Sequence, residues 1–247
     1  MKKLFFYITL FALSNLYSYS NETSGLKAQA KAPQTTFQFA VQKKAFFFEK
    51  KDYKFQIKKV FLAKGDKGVL TTIEDGYGLA IYTNAKGTET IGWLNLCDLT
   101  VSFSFAQNPT LQFSTVEKKD TFFFNNEHTN FIAFDLLFTY PSYYENGNLA
   151  KLQQQFIENA FGEDYKTVTP ENVLQKYVAN TVSAYTDEAM DEIAYNFTRH
   201  NKLLWLEGNL LHCEDNSWEY TGGAHGNGDT EHRIIDLSAY TNSNLDF

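Results

Sequence analysis

Between Phe37 and Val101 apolar and polar positions alternate in short bursts. Ala45–Phe48, Phe55–Phe61, Gly68–Ile73, Tyr77–Tyr82, Thr88–Leu94 and Asp98–Val101 are each four to seven residues long, which is the length and period of strands. Asp66, Gly68, Asp75-Gly76 and Ala85-Lys86-Gly87 separate them with turn-forming residues. A series of short strands with no helix between them predicts a small all-β barrel over residues 37–101. Residues 102–127 continue the alternation (Phe103/Phe105, Leu111/Phe113) and read as connecting strands. The domain boundary is expected between Val101 and Asp120.

After His128 the period changes. Phe131–Tyr140 reads as a strand that Pro141 stops. Asn146-Gly147-Asn148 turns the chain, and Leu149, Leu152, Phe156, Ile157 and Ala160 then form one helical stripe closed by Gly162. Thr169 as N-cap, Pro170 as first helical residue and Glu171 in the first turn open a second helix. Asp187–Ile193 reads as its extension. Lys202–Leu206 and Asn209–Cys213 form two strands joined at Glu207-Gly208, and Glu231–Leu237 forms another. Residues 128–247 therefore predict an α+β domain, an antiparallel sheet with two helices packed on one face. The expected class is mixed, a small barrel followed by this α+β layer.

The chain begins with Met1-Lys2-Lys3 and the apolar run Leu4–Leu13, the charged start and apolar centre of a secretory signal over residues 1–20. At about ten residues the run is too short to span a bilayer. Residues 21–36 are polar and small, and read as a flexible tether. The expectation is an exported protein, periplasmic or extracellular. It carries no transmembrane segment in the mature chain and no cysteine near the cleavage site to take a lipid anchor. The net charge of −7 is unevenly spread: residues 1–100 carry 14 Lys/Arg against 8 Asp/Glu, and residues 101–247 carry 8 against 21. An acidic C-terminal half argues against a nucleic-acid partner, which needs a basic footprint. It suits a basic protein partner, or simply a solvated acidic face.

Candidate chemistry concentrates in Tyr220-Thr221-Gly222-Gly223-Ala224-His225-Gly226-Asn227-Gly228-Asp229. Gly222, Gly223 and Gly226 mark a tight structural corner, because glycine accepts positive φ and close backbone approach. His225 has acidic neighbours in sequence, yet no metal-protease, nucleophile-elbow or phosphate-loop motif accompanies it. The favoured expectation is that its ring pegs the corner by hydrogen bonds. No cofactor, no metal site and no catalytic residue are expected. Cys97 and Cys213 are the only cysteines. An oxidising compartment would let them pair, and two isolated thiols are the alternative.

Two resemblances add to this. Lys58-Val60-Phe61-Leu62-Ala63-Lys64-Gly65-Asp66, Asp75-Gly76-Tyr77, Ile91-Gly92-Trp93-Leu94 and Asp98-Leu99 resemble bacterial Src-homology-three-like domains. That likeness implies a groove binding wall peptides or proteins, with Tyr77, Tyr82 and Trp93 as its aromatics. Residues 128–247, through Tyr220–Gly226, Ile235-Asp236-Leu237 and Leu245-Asp246-Phe247, resemble the extracellular domain of lysozyme-sensing anti-sigma factors (RsiV-like), also found at the N-terminus of a peptidoglycan deacetylase. Members continue past the acidic-aromatic pair, so the module is expected to be incomplete at its C-terminus. The implied function is a non-enzymatic cell-envelope binding protein that recognises peptidoglycan fragments or a basic protein such as lysozyme. Tyr220 and His225 join the ligand-binding candidates. The alternatives are a wall-glycan hydrolase or deacetylase using His225, and a structural module of an envelope complex.

Overall fold

A computed structural model of the chain describes residues 37–52, 54–104, 110–186, 194–222 and 225–241. The expected signal and tether, Phe105, the helix extension Asp187–Ile193, Gly223 and the terminal Leu245-Asp246-Phe247 lie outside the described residues. The strands are β1 (Phe37–Val41), β2 (Ala45–Lys51), β3 (Lys54–Leu62), β4 (Lys67–Glu74), β5 (Tyr77–Thr83), β6 (Glu89–Asn95), β7 (Leu99–Ser104), β8 (Thr110–Phe123), β9 (Phe131–Tyr144), β10 (Ala194–Glu207), β11 (Leu210–Tyr220) and β12 (Asn227–Asp236). Helices α1 (Leu149–Phe161) and α2 (Pro170–Thr186) lie between β9 and β10.

The strands make one twelve-stranded sheet in the order β12-β11-β10-β9-β8-β7-β1-β4-β5-β6-β2-β3. This corrects the expected barrel followed by a separate α+β domain. β1 pairs with β4 on one flank and with β7 on the other. β7 in turn pairs with β8, so the sheet runs on through the expected boundary. β3, instead of closing a barrel, ends the sheet as an edge. The second correction concerns strand direction. β9 and β10 pair in parallel, and α1 with α2 form the crossover that parallel neighbours require. The sheet is therefore mixed, not antiparallel.

Local signals explain both helices. The Asn148 side chain accepts from the Lys151 amide, and Gly162 closes α1 at φ 94°. Pro170 opens α2 at the position where its missing N–H is harmless. α1 buries Leu152, Phe156, Ile157 and Phe161, and α2 buries Val173, Leu174, Tyr177 and Val178. Their rings meet the sheet at Phe113–Phe156, Phe138–Phe161 and Phe134–Tyr177.

Pro141 does not stop β9. It sits opposite Phe113, where the β8 register shifts between Gln112 and Phe113, and a bulge is a place where a strand tolerates proline. β9 is buried on both faces through its second half. Its reverse face is covered by the β4–β5 turn, where Gly76 (φ 78°) lies so close that an added Cβ would stand 2.8 Å from the Leu137 side chain. Between β9 and β10, Asn201 replaces a strand pairing. Its side-chain oxygen accepts from the Thr139 amide at 2.6 Å and its amide donates to the Thr139 carbonyl at 2.8 Å.

Candidate functional site

The helix-covered face of β10–β12 is not lined by apolar side chains alone. Cross-strand register aligns Arg199 with Ser217 and Asp229, and Asp215 with Glu231. Above them stands the C-terminal turn of α1. Between the two lies a cleft of ≈ 410 Å³, lined among others by Glu158, Arg199, Asp215, Asp229, Glu231 and Arg233.

Each guanidinium group donates to several acceptors. Arg199 donates through Nε to the Tyr177 hydroxyl at 3.0 Å, through Nη1 to the Ala160 carbonyl at 2.9 Å and through Nη2 to Glu219 at 3.0 Å. Arg233 donates through Nε to Asp215 at 3.0 Å and through Nη2 to the Asn159 carbonyl at 3.2 Å, with a further short contact to Glu231. Ala160 and Asn159 belong to the last turn of α1, whose carbonyls lack intrahelical partners and carry the negative end of the helix dipole. α1 has no basic residue of its own in that turn. The sheet supplies two.

Burial outweighs the attraction of Arg233 and holds the Asp215 carboxyl above its ordinary value. Burial likewise raises the Tyr177 hydroxyl, against the pull of Arg199. Glu158 and Asp229 also line the cleft, and neither has a basic partner at ion-pair distance among the described residues. The arrangement is thus two hydrogen-bonded cations among a larger number of carboxylates. Its lining is net acidic.

The aromatic candidates separate. Tyr77 and Trp93 meet on the outer face of the β5–β6 region around Phe55, which stacks on Tyr77 at 3.9 Å and stands edge-on to Trp93 at 5.3 Å. Phe48 packs edge-on to Tyr77, and the Lys50 ammonium lies 5.6 Å from the Phe55 ring centre. Burial, then the charge of Glu117, raises the Tyr77 hydroxyl. Tyr82 is not part of this group, because odd and even positions of a strand point to opposite faces. Its hydroxyl faces Asp66 at 3.4 Å.

At the glycine corner Gly222 has φ 91°. A Cβ on Gly226 would stand 2.5 Å from the Trp218 ring, and one on Gly228 would stand 3.2 Å from it. The room that these glycines leave is taken by an indole. His225 is exposed, with no hydrogen bond or ion pair to its ring among the described residues. The Tyr220 ring lies 6.3 Å from that of Trp218, nearly parallel to it. Cys97 and Cys213 are free thiols. Burial, then Glu117, pushes Cys97 up to about 11, and burial raises Cys213.

Arg199, Asp215 and Arg233 escaped the sequence reading. A signal was present: Phe197, Arg199, Asn201 and Leu203 alternate with the period of one strand face, and a charged residue among inward positions marks a buried ion pair. Among the described residues no helix is long and apolar enough to cross a membrane.

No family model and no curated protein matches the sequence. The chain is similar to the crystal structure of a member of the DUF3298 family from Bacteroides fragilis NCTC 9343, with 25% sequence identity and a TM-score of 0.47. The similarity covers 52% of this chain and 57% of that one, so this chain spans a little over half of that distant neighbour.

Proposed function

We propose that this chain is an exported, non-enzymatic binding protein of the cell envelope, and that the cleft between α1 and β10–β12 receives a basic segment of a protein partner. The carrying observation is the pair Glu158 and Asp229, without a basic partner among the described residues at a cleft whose two arginines already hold Glu219, Asp215 and the carbonyls of α1. A lysine or arginine entering there gains charge-assisted hydrogen bonds and displaces no existing pair. The acidic C-terminal half adds long-range attraction for a cationic protein. The resemblance of Tyr220–Gly226 and its surroundings to lysozyme-sensing ectodomains supports a lysozyme-like partner. We carry no reaction through His225.

Calorimetric titration with a basic lysozyme tests this reading. Saturable binding is expected, weakened at least about tenfold by Glu158→Gln with Asp229→Asn, which corresponds to about 1.4 kcal/mol. Absence of binding, or binding indifferent to both substitutions, overturns it. A second reading, recognition of peptidoglycan fragments, rests on the Phe55–Tyr77–Trp93 cluster, since aromatic faces offer an apolar platform to sugar rings. It expects sedimentation with peptidoglycan that Trp93→Ala abolishes and the cleft substitutions leave intact.

A further inference from the structure

Among the described residues the sheet ends in two edges with no further strand against them, and the two are complementary. β3 carries Lys54, Lys58 and Lys59 and no acidic residue. β12 carries Asp229, Glu231 and Asp236 against Arg233 alone. Most of the exposed large apolar side chains lie toward the same two ends, with Phe123, Phe124 and Tyr143 the exceptions around β8 and β9. Ile57, Val60 and Phe61 are on β3 itself and Ile91 lies on nearby β6. At the other end Ile234 is on β12, with Leu210 and Trp218 on β11 and Trp205 on β10. Ile57 is 63% exposed and Ile234 61%.

An edge strand presents unpaired N–H and C=O groups and is a template for another strand unless something covers it. Lysines on an edge usually discourage self-pairing, because two copies of the same edge repel each other. Here that device is one-sided: β3 repels another β3, yet the acidic β12 attracts it. We infer that copies of this chain associate head to tail, β3 of one against β12 of the next, extending the sheet between molecules. Backbone hydrogen bonds supply the attraction, as in strand addition. Ile57 and Phe61 on one side and Ile234 on the other supply apolar cover. The opposite charges set the polarity. Such a contact is heterologous, so it does not close at two copies and builds rings or filaments.

The reading is independent of the basic partner proposed above, and its test leaves Glu158 and Asp229 unchanged. Sedimentation velocity of the purified chain is expected to show a mass that rises with concentration. The association weakens in about 1 M salt, where charges are screened beyond about 3 Å. Two edge variants decide the geometry: Lys58→Glu with Lys59→Glu on β3, and Thr230→Lys with Ile234→Lys on β12. Each alone is expected to be monomeric. Mixed, they are expected to associate again, because the mixture holds one native β3 edge and one native β12 edge per pair. A wild-type chain that stays monomeric at every concentration overturns the proposal. So does a β12 variant that still associates with itself, or a mixture that stays monomeric.

Discussion

The strands under the helices and the strands at the β3 end belong to one sheet but meet different surroundings. Beneath α1 and α2, Ile132, Leu136 and Phe138 are fully buried. On the outer face of β2, β3 and β6, Ile57, Phe61 and Ile91 are about half exposed or more, although Phe47, Leu70 and Leu94 behind them are buried. The sequence Ala45-Phe46-Phe47-Phe48 is apolar at consecutive positions, so both faces of β2 carry rings and the core takes only one. Apolar residues in alternation therefore mark burial on one face. What lies on the other face is decided by whether a helix was placed there.

The sharpest way to break this contrast is to delete the same kind of atom in both regions. Phe138→Ala is expected to cost about 3–5 kcal/mol in denaturant unfolding, because it removes a buried ring and leaves a cavity. Ile91→Ala is expected to change stability by less than about 0.5 kcal/mol, as an exposed substitution does. Equal losses would show that the outer face is covered in solution. Next in size is the polar seam beneath α1. Arg199→Leu leaves Glu219, the Tyr177 hydroxyl and the Ala160 carbonyl without their donor. A loss of about 2–3 kcal/mol is expected by chemical denaturation, reduced from the fully buried range because Arg199 and Glu219 keep some contact with water.

The smallest expected effect depends on pH and lies on the reverse face. Hydrogen bonding from His200, then the charge of Lys119, holds the Asp135 carboxyl below its ordinary value of 3.8. A carboxylate with a depressed folded value contributes stability above its unfolded value and loses it as pH falls through the folded one. Asp135→Asn should therefore flatten the acid limb of stability below about pH 4, read by denaturant titrations between about pH 2 and pH 5. An unchanged acid limb would show that His200 and Lys119 do not act on Asp135 in solution.

What the sequence disclosed was local. Turn residues placed β2 to β7 to within a few residues, and Asn148, Gly162 and Pro170 marked the helix ends because each does its work within one turn. Pairing was not legible, since nothing near Phe39 states that its strand will lie between β4 and β7. Pro141 misled for a different reason: its effect on a strand depends on the neighbour's register, and the bulge beside Phe113 removes the conflict. Tyr77 and Trp93 were singled out by residue type, and the structure brings both against Phe55, away from the cleft. Arg199 and Arg233 were missed because their meaning lies in the carbonyls of a helix 39 or more residues away.

The place of β1 has a consequence for processing of the chain. The strand Phe37–Val41 is paired to both halves of the sheet, with Gln38, Phe39 and Ala40 paired on both flanks at once. It acts as a keystone set close to the N-terminal side of the folded body. Trimming past Val41 bares the flanks of β4 and β7 together and turns two protected inner strands into two new sticky rims.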